Sequence, residues 1–302
     1  MHFGRFGPVA TAMITPMQRD GSINHEEAGR LARWLIEHGS SALVIAGTTG
    51  ESPTLDDEEK LELFGTIVQA VGKRVPIIAN TGGNDTHHSV ELSKAAATCG
   101  VDALMAVGPY YNKPPQAGLL RHFTAISDAT DLPLMIYNIP GRTAVNILPE
   151  TILKLAAHPK IVAVKESSGD LNQISELVAG VPPGFDVYCG DDYLALPAAS
   201  VGACGVVSVV SHVAGMELTD MLNAFVRGDN DRAMGLHHSL LPLFRGLFAV
   251  TSPIPVKTAM QFFGFATGSC RPPLCDLSAD QKTALLGLLK PWLPATAIAT
   301  AG

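Results

Sequence analysis

The chain alternates between two hydrophobic rhythms. Short apolar runs recur at Val9 to Ile14, Ala42 to Ala46, Val75 to Ala79, Ala103 to Val107, Leu134 to Tyr137, Ile161 to Lys165, Asp186 to Cys189 and Gly205 to Val209. Runs this short, bounded by turn residues, read as strands buried on both faces. Between them lie stretches with apolar residues at helical spacing: Asn24 to His38, Asp56 to Val71, Thr86 to Thr98, Gln116 to Ala129, Pro149 to Ala157, Leu171 to Ala179 and Tyr193 to Val201. Gly39 closes the first of these, and Asp56 is placed to cap the second, with acidic residues in its first turn.

Eight strand–helix alternations with short connections predict a parallel sheet, and eight strands close a barrel. The expected fold is α/β, a (β/α)8 TIM barrel. An open doubly wound sheet is the alternative, but no glycine-rich dinucleotide fingerprint follows the first strand. Further helical segments near Met216 to Leu247, Ile254 to Phe263 and Ser278 to Leu293 exceed what the barrel needs. The expected division is a barrel over 1–228 that carries the active site and a C-terminal helical extension over 229–302.

Composition narrows the function. At 302 residues with 47% hydrophobic and 16% charged side chains, the chain can bury a large core and leaves little scope for disorder. A net charge of -7 argues against nucleic acid or an anionic membrane as partner. The five cysteines, Cys99, Cys189, Cys204, Cys270 and Cys275, are odd in number and scattered, which points to a reducing compartment rather than a disulfide framework. Cys270 and Cys275 lack a second ligand pair at zinc spacing. No signal peptide pattern and no bilayer-length apolar run is visible.

The unusual loops all follow strands: Gly47 to Thr54, Asn80 to Asn84, Gly108 to Pro115, Asn138 to Thr143, Lys165 to Gly169 and Gly190 to Asp192. In a barrel these share the active-site face. Lys165 ends an apolar strand. Burial there favours a neutral amine, which attacks carbonyls to form a Schiff base; a lysine that snorkels out towards Glu166 is the plainer reading. Thr48, Thr49 and Gly50 lie between a strand and a helix and offer hydroxyls and backbone N–H groups to a carboxylate or phosphate, or simply cap the helix. Tyr137 could pass protons into the barrel mouth or fill its rim. Arg142 could clamp a carboxylate or stay a solvated surface arginine. Tyr110 and Tyr111 stand in a proline-stiffened loop that suits an interface or a substrate lid.

Taken in order, Gly47-Thr48-Thr49-Gly50-Glu51-Ser52, Pro109-Tyr110-Tyr111-Asn112-Lys113-Pro114, Tyr137-Asn138-Ile139-Pro140-Gly141-Arg142-Thr143, Lys165-Glu166-Ser167-Ser168-Gly169-Asp170, Gly190-Asp191-Asp192 and Pro253-Ile254-Pro255-Val256-Lys257 resemble the dihydrodipicolinate synthase/N-acetylneuraminate lyase family of pyruvate-dependent class I aldolases. The resemblance runs from about Val9 to the helix after Pro255. Within the family, Arg142 and the Thr48–Thr49 pair side with the synthases. Gly108 and Ser252 depart from the Thr and Asn common there.

The resemblance implies a lyase in which Lys165 forms the Schiff base with pyruvate, without metal or organic cofactor. Thr49 and its backbone would hold the pyruvate carboxylate. Tyr137, Thr48 and Tyr111 would form a proton relay, with Tyr111 supplied by a neighbouring subunit. Arg142 would bind the carboxylate of L-aspartate 4-semialdehyde, and Gly190 and Val207 would shape the pocket floor. The product would be 4-hydroxy-tetrahydrodipicolinate, in lysine and diaminopimelate biosynthesis, made by a cytoplasmic homotetramer built as a dimer of dimers. Family members inhibited by lysine use a His and a Glu where this chain has Lys60 and His88; Tyr110 and Asn84 remain, so lysine inhibition is expected to be weak or absent. A relative acting on a sugar acid or another 2-keto acid, and a non-catalytic carboxylate-binding barrel, are the competing readings.

Overall fold

The computed structural model describes residues 2–293; the last part of the expected extension, 294–302, lies outside the described residues. In chain order the elements are β1 (Val9–Ala12), α1 (His25–Glu37), β2 (Ala42–Ile45), α2 (Asp57–Val71), β3 (Ile77–Asn80), α3 (Thr86–Thr98), β4 (Ala103–Val107), α4 (Gln116–Asp128), β5 (Leu134–Asn138), α5 (Pro140–Thr143), α6 (Pro149–Leu155), β6 (Ile161–Glu166), α7 (Leu171–Gly180), β7 (Asp186–Cys189), α8 (Ala195–Ser200), β8 (Gly205–Ser208), α9 (Ser211–Val226), α10 (Asn230–Gly246), α11 (Ile254–Phe262) and α12 (Ala279–Leu289). The strands are all parallel and close on themselves, β1 pairing with both β2 and β8. The expected (β/α)8 barrel is therefore the observed one.

Nearly every strand residue is buried, as expected of a sheet with helices outside and packed side chains within. Helix starts follow side-chain chemistry. Asp56 accepts from the Glu59 N–H while Glu59 reaches back to the Asp56 N–H, a full capping box. Ser278 and Gln281 form a second capping box at α12, and the Asp85, Asp170 and Asp229 side chains each accept one backbone N–H at the starts of α3, α7 and α10. Gly39 closes α1 with φ 101°, and a Cβ there would lie 2.6 Å from the Gly215 carbonyl, so both backbone angle and space require glycine.

Two expectations need correction. The segment Met216 to Leu247 is not one helix. The eighth barrel helix, α9, begins earlier at Ser211, and Gly228 (φ 83°) with the Asp229 cap separates it from α10. Tyr193 to Val201 likewise divides into a single 3₁₀ turn, Asp192–Leu194, and the short helix α8.

Candidate active site

Lys165 and Tyr137 face each other across the ladder between β5 and β6, where they are register partners. Lys165 is 6% exposed and Tyr137 4%. The lysine Nζ lies over the tyrosine ring, 4.0 Å from its centroid. Glu166, next along β6, points to the other face, as strand alternation requires. Its buried carboxylate accepts from Asn138 Nδ2 (3.0 and 3.1 Å), Gln173 Nε2 (3.0 Å) and the Ser168 N–H (2.7 Å). Lys165 is thus not a strand-end lysine that snorkels to Glu166. Asn138 also donates to Asn146 and accepts from the Ile147 N–H. This buried polar network ties the ends of β5 and β6 together on the opposite face, one residue beyond the Lys165–Tyr137 pair. Burial raises the Glu166 pKa, and the hydrogen bonds from Asn138, Ser168 and Gln173 oppose the shift.

Gly190 follows β7 and packs directly on the lysine. A Cβ there would lie 1.8 Å from Ser167 Oγ and 2.9 Å from Lys165 Cε. Glycine is needed here for close approach. Val207 is buried one residue beyond the Cys189–Val206 pair, level with Gly190, and it pairs with Ala10 of β1. Asp191 is pushed up to about 6, first by burial, while the Lys165 charge pulls the other way. Fully buried Asp192 accepts from the Val209 N–H (3.0 Å) and Val210 N–H (3.2 Å) and from the Ser208 hydroxyl, so it fixes the turn leaving β8.

Thr48, Thr49 and Gly50 do not open a helix, contrary to the sequence reading. A 3₁₀ turn, Ser52–Thr54, intervenes, and α2 starts only at Asp57 because Asp56 takes the capping position. The residues instead form a tight turn closed by Glu51 N–H donation to the Thr48 carbonyl (3.1 Å) and Ser52 N–H donation to the Gly47 carbonyl (3.2 Å). Thr49 is buried within it. Thr48 and Tyr137 line one cavity of about 600 Å³. Lys60, Asn84, His88 and Tyr110, the candidate feedback residues, line the far part of the same cavity. There the Lys60 ammonium lies 3.9 Å from Asp57, and His88 Nε2 is 2.8 Å from the same carboxylate.

Arg142 stands on α5 at the rim, exposed, and donates to the Ser252 carbonyl at 3.3 Å. The contact is to backbone, so it does not depend on which side chain occupies 252. Tyr111 is not brought to the cavity of its own chain: it is 88% exposed and holds φ 73°, a left-handed conformation that is costly for a bulky residue. Asn112 donates to the Asn84 carbonyl at 2.8 Å and so anchors this loop.

Sequence reasoning named no role for Asn138, Glu51 or Lys257, and gave Glu166 only that of a partner for a snorkelling Lys165. Glu51 and Lys257 form a buried ion pair of 2.6 Å, with side-chain exposures of 1% and 2%. All of these residues lie within the ordered motifs quoted above, which was the available signal.

Comparison with known proteins agrees with this geometry. The model of the dihydrodipicolinate synthetase family matches residues 5–291. A 4-hydroxy-tetrahydrodipicolinate synthase from Symbiobacterium thermophilum is 51% identical over 285 residues, which is 94% of this chain and 97% of that protein. The crystal structure of a dihydrodipicolinate synthase from Bacillus anthracis matches with a TM-score of 0.93 at 46% identity, covering 95% of this chain and 98% of that one. The lysine-bound structure of the Cyanidioschyzon merolae enzyme matches with a TM-score of 0.93 at 43% identity, covering 96% and 98%. Among the described residues no helix is long and apolar enough to cross a membrane.

Proposed function

Because the chain belongs to the dihydrodipicolinate synthetase family, we propose that it condenses pyruvate with L-aspartate 4-semialdehyde to 4-hydroxy-tetrahydrodipicolinate, through an imine on Lys165. The observation that carries this reading is the buried Lys165 amine held over Tyr137, with Glu166 turned away from it and fully engaged elsewhere.

The chemistry follows from that placement. The Nζ lone pair attacks the pyruvate ketone, and the carbinolamine loses water to give an iminium. The iminium draws electrons from the neighbouring methyl, which loses a proton to become an enamine. The enamine carbon attacks the aldehyde carbon, and the aldehyde oxygen takes up a proton. The amine of the second substrate then closes on the imine carbon, forms the ring and releases Lys165. Thr49 and the backbone of the tight turn hold the pyruvate carboxylate, and Gly190 and Val207 form the floor against which pyruvate lies. Tyr137 and Thr48 move protons, with Tyr111 from a second copy of the chain completing the relay. Tyr111 supports this last role by its exposure and by the strained backbone that presents it. At least a dimer is therefore needed, and a dimer of dimers is the assembly proposed. Arg142 receives the second substrate's carboxylate at the entrance. The reaction requires no metal or organic cofactor and takes place in the cytoplasm.

The test is pyruvate-dependent consumption of L-aspartate 4-semialdehyde, coupled to dihydrodipicolinate reductase and followed by NADPH oxidation. Turnover with this aldehyde supports the reading. Turnover with sugar acids alone would assign the chain to another activity within the family.

A further inference from the structure

The turn that carries Thr48 and Thr49 is held by a residue from the far end of the chain. Glu51 closes the turn in a left-handed conformation, φ 59°. Its carboxylate accepts from Lys257 Nζ at 2.6 Å and from the Arg271 N–H at 2.8 Å. Lys257 donates a second bond to the Ser269 carbonyl at 2.9 Å, and its own carbonyl accepts from the Thr267 hydroxyl at 2.9 Å. Both charges are withdrawn from water. On the barrel side, Thr15 Oγ1 donates to the Gly50 carbonyl at 2.7 Å, and a Cβ on Gly50 would crowd the Ala46 backbone at 3.0 Å. The turn is thus clamped between the loop after β1 and the C-terminal extension, through Lys257 of α11 and Arg271 of the segment that follows it.

A buried ion pair is a poor way to gain stability, because well-packed apolar residues of the same volume commonly do as well. What it provides here is a single geometry. An apolar pair could slide, whereas the carboxylate must meet two fixed donors. We infer that Lys257 is a positioning residue for pyruvate: through Glu51 it sets the backbone N–H groups and Thr49 hydroxyl of the turn at the spacing a carboxylate requires. This rests on the proposed reading that the Thr48–Gly50 turn receives the pyruvate carboxylate. The extension would then set pyruvate affinity from outside the barrel.

The experiment compares Lys257→Met with the double variant Glu51→Gln/Lys257→Met, measuring Tm, the KM of each substrate and borohydride trapping of pyruvate. Lys257→Met strands a buried carboxylate, so both Tm and pyruvate affinity fall. The double variant leaves no charge unpaired, so Tm recovers. The pyruvate KM stays raised by about tenfold or more, because the geometry is still lost. The KM for the second substrate stays within about twofold, and trapping at saturating pyruvate remains complete. A pyruvate KM that recovers together with Tm in the double variant, or that never changes, overturns the inference. If Lys257→Met does not fold, the double variant carries the test alone. If wild-type protein traps no pyruvate, the proposed function itself fails, and that outcome is distinct from failure of the clamp.

Discussion

Lys165 and Tyr137 are register partners on adjacent strands, and the Nζ of one lies 4.0 Å from the ring centroid of the other. The ring face and the hydroxyl thereby have separable roles. Tyr137→Phe keeps the face against Lys165 and deletes only the proton carrier. The expected result is imine formation close to normal with turnover reduced about 10²- to 10⁴-fold, the usual contribution of a placed acid–base group. Borohydride trapping and the coupled assay, run on the same preparation, separate the two effects.

Gly190→Ala tests the pocket floor. The added methyl meets Ser167 Oγ and Lys165 Cε at distances no real contact tolerates. Lys165 is the flexible partner and moves, and a displacement approaching 1 Å costs on the order of 100-fold in turnover. Adding Ser167→Ala removes the closer of the two clashes and should recover part of the loss, a coupling that kinetics of the single and double variants measures directly.

Two buried histidines give stability a component that falls as the medium turns acid below neutrality. Burial holds His212 down at about 4, and its ring is fully used: Nδ1 lies 2.9 Å from the Val209 carbonyl, while Nε2 accepts from the Ile14 N–H at 3.2 Å. Burial also holds His122 at about 4. The unfolded chain protonates these rings near pH 6.5. Their stability is therefore fully present above that value and is lost as pH falls towards about 4, by about 3 kcal/mol each. Asp191, raised to about 6, acts in the opposite sense: its contribution is full below about pH 3.8 and is lost as pH rises through about 6. Burial raises Glu166 and Asp192 in the same sense as Asp191, so the histidine part is read as the difference in Tm between wild type and a histidine variant across about pH 6.5 to 4.5. His212→Gln, although less stable above about pH 6.5, should lose less Tm than wild type on acidification, and an equal loss in both would contradict the histidine contribution.

Free lysine should inhibit poorly. In the cavity that holds the candidate feedback residues, burial lowers the Lys60 pKa, and Asp57, the nearby carboxylate, is already engaged by His88. An incoming ammonium meets a like charge and finds that carboxylate occupied. The expected half-inhibition lies above about 1 mM lysine, equivalent to binding weaker than about 4 kcal/mol. Half-inhibition at micromolar lysine in a steady-state assay would sink the prediction.

Periodicity alone made the barrel legible. Strands such as Ala103–Val107 and Asp186–Cys189 and the helix Thr86–Thr98 begin and end where the apolar pattern does, because turn residues or a capping aspartate bound them. The ends that moved were set by local chemistry the pattern does not carry. Gly228 breaks a stretch whose hydrophobic rhythm continues, and the 3₁₀ turn Asp192–Leu194 precedes α8 where the pattern shows one helix, whereas the Asp56 start of α2 stands as expected. In the site, Lys165 could be singled out because a lysine directly after an apolar strand is conspicuous. Thr49 and Arg142 were candidates by chemistry and loop position, with equally good plain readings, and Gly190 and Val207 entered through resemblance. The supporting contacts were not legible from pattern. Glu51 and Lys257 are 206 residues apart and meet where α11 packs on the barrel; Asn138 and Glu166 are 28 apart and meet as partners in the β5–β6 ladder.

The most direct measurement is intact and peptide mass spectrometry after borohydride reduction with pyruvate, on wild type and Lys165→Ala. The expected result is one reduced pyruvate adduct per chain, located on Lys165, and none on the variant. An adduct on another lysine, or unchanged adduct formation in Lys165→Ala, would contradict the role assigned to this residue.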